Sequence, residues 1–269
     1  MRGRPDRRAL VRWAFAMCIL PLACTLAAGE PPHPRATAAL RVAVCTERIL
    51  KLQAQLGQRV LLPRTRRALP QSVRALDASV RALGVPAAPS ELHESAAILA
   101  LLARQYRGWA LKPATPDNAR SLGERAEELA WEAAKVARLL SPPAPGQPRP
   151  AAAIALEGSE LAQRVARLLF WRRWEVGGDS IGNELALAQA ALAADLEALR
   201  ARGAADSRID SELEVAENQV GFLLASARRI ERGNAEAHDL EFAAKASDNA
   251  AESLDHLATL YESPGPARD

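Results

Sequence analysis

The chain is predicted to be all-α: two tandem four-helix up-down bundles joined by a Pro-rich linker. Three observations predict this. Apolar residues recur at steps of three and four in eight segments, and no segment alternates with period two. Ala, Leu, Arg and Glu outnumber Val, Ile, Thr and Tyr, and straight side chains lose less rotamer freedom in a helix than β-branched ones. Between Ser141 and Ala151 stand Pro142, Pro143, Pro145, Pro148 and Pro150, too few backbone donors for a helix, so the stretch reads as an extended connector between domains.

The first 28 residues read as an export signal. Arg2, Arg4, Arg7, Arg8 and Arg12 make a basic stretch, Trp13 to Cys24 an apolar run, and Ala27, Ala28 and Gly29 a small-residue cleavage region. The run is short and interrupted by Pro21, so cleavage is expected over retention as an anchor, and the product is expected to be periplasmic. Arg7-Arg8 leaves twin-arginine export open beside the general route; N-terminal membrane anchoring, or lipidation at Cys24, are the alternatives. Residues 29–36 are expected to be a flexible segment, 37–141 the first bundle, 142–150 the linker, 151–263 the second bundle and 264–269 a tail.

Each helix has its stripe. The first bundle carries Val42, Cys45, Ile49, Leu52 and Leu56; then Leu69, Val73, Leu76, Val80 and Leu83; then Leu92, Leu99, Leu102, Tyr106 and Trp109; then Leu122, Ala126, Leu129, Ala133, Val136 and Leu140. The second repeats the scheme with Ile154 to Leu168, Leu185 to Leu199, Ile209 to Ile230 and Leu240 to Tyr261. Gly84, Gly203 and Gly233 stand just past these runs as C-terminal punctuation, Pro116-Asp117 suits a first turn, and Ser90 and Asn234 suit N-caps. Pro70 falls inside the second stripe, so that helix either starts or kinks there. Helix starts near 39, 69, 92 and 122 recur near 154, 185, 209 and 240. At an offset of 116, Glu47-Arg48-Ile49-Leu50-Lys51-Leu52 overlies Gln163-Arg164-Val165-Ala166-Arg167-Leu168, a degenerate duplication of one unit.

Charge narrows the function. The chain has 35 basic and 32 acidic residues, but five arginines and one aspartate lie in the signal, so the remainder is nearly neutral and nucleic-acid binding is not expected. Residues 31–141 hold 17 basic and 9 acidic groups, and residues 151–269 hold 12 and 21. The oppositely charged halves could attract each other or drive self-association.

The chemistry-bearing motifs are sparse. Outside the signal only Cys45 remains of the three cysteines, so no internal disulfide is expected, and the thiol reads as a small core hydrophobe. His33, His93, His238 and His256 are scattered without metal-ligand spacing, so neither metal nor cofactor is expected. Gly178-Asp179-Ser180-Ile181-Gly182 matches the G-x-S-x-G nucleophile elbow, but no strand precedes it; Gly177 and Ser180 read as helix caps, and no catalytic residue is assigned. Phe170-Trp171-Arg172-Arg173-Trp174 could clamp an anionic or aromatic ligand, and reads better as bulky side chains sealing a bundle end. Arg48 and Arg164 occupy equivalent positions, each just before a core residue, and are the candidate ligand-binding residues.

At these arginines the chain resembles the PilJ-type domain, the N-terminal domain of type IV pili methyl-accepting chemotaxis transducers, a relative of the nitrate/nitrite sensor kinase input domain. The segment Ala155-Leu156-Glu157-Gly158-Ser159-Glu160-Leu161-Ala162-Gln163-Arg164-Val165-Ala166-Arg167 is similar to the family's first-helix signature, and Glu47 to Lys51 matches it more faintly. Leu213 to Leu224 and Leu254 to Glu262 resemble its later helices. The signature carries a further Arg five residues earlier, where this chain has Ala43 and Ser159. The resemblance implies an extracytoplasmic, non-catalytic sensor-like module that binds a small ligand, such as a small anion, or a membrane-bound signalling protein. No later segment is apolar enough to span a membrane, so signalling across one would need that partner. A cell-envelope structural or protein-interaction module without a small-molecule site is the alternative.

Overall fold

The computed structural model describes residues 33–84, 91–142, 146–202, 206–232 and 237–263. Among them are eight α-helices and no strand: α1 (Pro34–Gly57), α2 (Leu62–Ala82), α3 (Glu91–Ala110), α4 (Pro116–Leu140), α5 (Ala151–Arg173), α6 (Ile181–Ala201), α7 (Ser207–Glu231) and α8 (Ala237–Glu262). None is long and apolar enough to cross a membrane. The expected signal, the Ser90 and Asn234 caps, Gly203, Gly233 and the 264–269 tail lie outside the described residues.

Two helix starts differ from expectation for local reasons. α1 opens at Pro34, within the segment expected to be flexible, because proline suits the first helical turn and the His33 imidazole accepts the Arg35 N–H at 3.2 Å. α2 starts at Leu62 and runs through Pro70, which rules out a start at that proline. Thr65 explains the difference. It holds the stripe position one turn ahead of Leu69, is buried, and its hydroxyl reaches the carbonyls of Val60 (3.0 Å) and Leu61 (3.1 Å) and Gln55 Oε1 (3.1 Å). A polar residue satisfied by its own turn leaves no mark in an apolar periodicity. Gly84 takes the left-handed conformation (φ 49°) just past α2, and the Thr115 hydroxyl caps α4 by accepting the Asn118 N–H at 3.2 Å. Ser180 stands at the start of α6 but makes no cap hydrogen bond; its hydroxyl meets Glu184 Oε1 (2.7 Å) and the Gly177 carbonyl (3.2 Å).

Helix α1 packs on α2, α4 and α5, and α5 packs on α1, α6 and α8; α3 rests on α4 and α7 on α8. This places α1 and α5 at the centre. Each buries 15 residues, more than a single stripe can supply, whereas α2 buries five and α3 six. The two run parallel: Glu47 meets Arg164 and Arg167, and further along both helices the Gln58 amide donates to the Phe170 carbonyl at 2.9 Å. The aromatic end of α5 closes the seam. Trp174 lies against Gly57 and Trp171 against Gly123 of α4, each so close that a Cβ there would stand about 2 Å from the ring.

Candidate functional site

Of the two candidate arginines, Arg164 lies in the α1–α5 seam, which is polar to an unusual depth. Glu47, 5% exposed, accepts from Arg167 Nε at 2.7 Å and from Arg164 Nε at 3.1 Å. Arg164 also donates to Glu160 one turn earlier on α5, at 2.6 Å. The Arg167 guanidinium, itself buried, lies 4.4 Å from the Trp171 ring centroid, so its remaining face meets a π-system. Burial, opposed in part by Arg164 and reinforced by Glu47, raises the Glu160 carboxyl to about 7.

A second cluster joins α1, α2 and α8. Lys51 is fully buried and donates to Asp248 Oδ1 at 2.6 Å and Ser247 Oγ at 3.0 Å, while Arg64 donates to the other Asp248 oxygen at 3.1 Å. Burial lowers the Lys51 pKa, and burial opposes but does not overcome the neighbouring cations that hold Asp248 low. Ser247 ties the clusters together: its carbonyl accepts the Gln163 amide of α5 at 3.2 Å. Arg41 extends the α1–α8 contact through Asp255 (3.0 Å) and Glu262 (3.7 Å). Basic residues of the first half thus meet acidic residues of the second within one chain.

The predicted pair, Arg48 and Arg164, is not brought together by any ion pair or hydrogen bond among the described residues. Arg164 is held between Glu47 and Glu160. Arg48, one residue and so about 100° around α1 from Glu47, is exposed and acts electrostatically on Lys51 and Asp248. The residues that carry the buried chemistry, Glu47, Lys51 and Arg167, fall off the apolar stripes, so periodicity does not mark them. At an offset of 116, Lys51 and Arg167 are both basic and Glu47 and Gln163 both polar, but the exposed Arg48 corresponds to Arg164 in the same way, so the correspondence does not by itself mark the buried positions.

The other sequence motifs lie in the core or on the surface. Cys45 is free, and burial pushes its thiol up to about 11, so the thiolate form is scarce at neutral pH. Phe170 and Trp171 are buried, as sealing side chains would be. His256 meets Glu212 at 3.1 Å on the surface, and among the described residues no group of His, Cys, Asp and Glu is arranged to hold a metal ion. Two shallow grooves of about 370 Å³ each flank α6 and α7; one is lined by Leu199, Asp210, Leu213 and Tyr261, the other by Leu196, Glu197, Val220 and Leu224. No family model, no curated protein and no solved structure matches the chain.

Proposed function

We propose that the chain is an exported, non-catalytic, sensor-like helical protein built from two degenerate PilJ-type units, each an up-down four-helix bundle, and that it works by binding a membrane-bound signalling partner. The observation that carries this reading is the parallel packing of α1 on α5. Helices whose sequences correspond at an offset of 116 lie side by side with equivalent segments facing, the arrangement two subunits of one unit would make, here within a single chain. Helix starts at Pro34, Leu62, Glu91 and Pro116 pair with starts at Ala151, Ile181, Ser207 and Ala237 in the same order. A protein partner is favoured over a small anion at Arg164 because the Glu47 carboxylate already lies between Arg164 and Arg167, and a free anion would have to displace a buried ion pair.

A second reading, small-anion binding, rests on Arg48. There Arg48, Lys51 and Arg64 surround the single carboxylate of Asp248, an excess of positive charge beside a partly open surface. One experiment separates the readings. Melting temperature is measured against nitrate, nitrite, phosphate and small carboxylates for the parent and for Arg48→Ala and Arg164→Ala. A saturable rise lost only in Arg48→Ala supports the small-anion reading; silence from every anion, with capture of an envelope membrane protein by the purified chain, supports the partner reading. Loss of the shift in Arg164→Ala alone refutes the assignment of that side chain to the internal seam.

A further inference from the structure

The positive charge of the first half is concentrated on α2. This helix has five arginines and one acidic residue, Asp77, which is engaged by Arg107 at 3.3 Å. Arg64 is paired with Asp248. Arg66, Arg67, Arg74 and Arg81 are exposed and enter no ion pair among the described residues. Arg67, Arg74 and Arg81 are seven residues apart, so they fall on one line of the outer face, spaced by about 10 Å and spanning about 21 Å. The exposed residues along that line are Gln71 and Ala78, with Ala75 and Ala82 beside it. At the same places 116 residues on, α6 carries Asn183, Ala190 and Glu197, so the row belongs to the first unit alone.

A row of guanidiniums about 10 Å apart on one solvated face costs little by itself, since water and salt screen the repulsion, and it presents a strip of positive charge that complements a facing anionic surface. The face is the outer side of a helix, and the row is about 21 Å long, more than a single small anion can span. It carries no aromatic side chain on which nucleobases could stack. A second copy of the chain offers fewer free carboxylates than its composition suggests, because Glu157, Glu160, Asp195, Glu217, Asp239, Asp248, Asp255 and Glu262 all sit in ion pairs. A flat, phosphate-rich surface fits the length and the lack of a stacking or inserting side chain.

We infer that the outer face of α2 is an electrostatic docking surface for an anionic phospholipid bilayer, engaged through Arg67, Arg74 and Arg81. It rests on the proposed function only in that the chain works outside the cytoplasm beside a membrane. Contact is by charge alone, since no large apolar residue on this face enters the acyl region. Docking would hold the bundle flat against the membrane that bears the signalling partner.

The test is vesicle co-sedimentation of parent and variants purified in the same processed form. Vesicles of phosphatidylcholine alone are compared with vesicles containing one third phosphatidylglycerol, at about 0.1 M and about 1 M salt. Binding is expected only with phosphatidylglycerol and only at the lower salt. Each arginine contributes about fivefold, so Arg67→Gln/Arg74→Gln/Arg81→Gln weakens binding by about a hundredfold. The control Arg104→Gln/Arg138→Gln/Arg228→Gln removes the same charge elsewhere on the exposed surface and leaves binding unchanged. Equal losses in both triple variants would mean net charge and not the row, and overturn the assignment. So would indifference to phosphatidylglycerol, or vesicle-free self-association abolished by the α2 substitutions, which makes the occupant a second copy. The readout contains no ligand and no signalling partner, so its failure is distinct from failure of the sensor-like reading.

Discussion

Replacing Glu47 by Ala tests the central claim about the seam. Two guanidiniums converge on that carboxylate, but they lose different things. Arg164 is about one third exposed and retains Glu160, so its share is that of a surface pair, at most about 1 kcal/mol. Arg167 is 8% exposed, has Glu47 as its carboxylate partner, and would be left with only the Trp171 ring. An uncompensated buried charge costs about 3–5 kcal/mol. For a chain of this size that is a fall in melting temperature of roughly 6–20 °C. Urea unfolding of parent, Glu47→Ala, Arg167→Met and the double variant gives the coupling directly, since removing both charges leaves neither stranded. The double variant is expected to be more stable than Glu47→Ala alone. A loss below about 1 kcal/mol for Glu47→Ala, or a double variant as unstable as the sum of the singles, would refute the view that the pair is a buried, mutually dependent unit.

Other perturbations follow from the same contacts. Glu160, raised to about 7 by burial, prefers its proton in the folded chain; that stabilisation is complete below the ordinary carboxyl pKa of 4.5 and is lost as pH rises to about 7. Melting curves of the parent should therefore fall over that window relative to Glu160→Gln, by on the order of 2 kcal/mol, and parallel curves would contradict the burial of this carboxyl. Asp248→Asn removes the carboxylate that offsets burial of Lys51, so the already lowered ammonium pKa falls further. A base lowered on folding costs stability below its unfolded pKa and recovers as pH rises toward it, so Asp248→Asn should be least stable near neutrality and regain ground toward pH ~10; a deficit independent of pH would count against this account. Gly123→Ala puts a Cβ 2.4 Å from the Trp171 ring, so a loss of about 1–2 kcal/mol is expected despite the better helix propensity, with a shift in tryptophan emission. A stabilised Gly123→Ala protein would show that Trp171 yields freely.

Helix identity and much of its punctuation were legible because they depend on neighbours three or four residues away. Ile49, Leu76, Leu99 and Leu129 are buried where their spacing puts them, Gly84 terminates α2, and Pro116 begins α4. Of the two candidate site residues, Arg164 lies in the central seam but is internally paired, and Arg48 faces outward. The sequence showed that both flank a core position; it did not show which would meet a carboxylate, because Glu47 and Arg164 are 117 residues apart.

Legible in the sequence alone is the one-dimensional part: eight helical stripes and a proline break between Leu140 and Ala151. That α1 and α5 become the centre and bury a second face follows from folding. A single stripe reports burial against one neighbour, whereas Glu47, Lys51 and Arg167 are buried by partners from distant segments. On sequence alone a charge off the stripe reads as a solvated face; what makes its burial tolerable is a counter-charge that only folding brings within hydrogen-bonding distance.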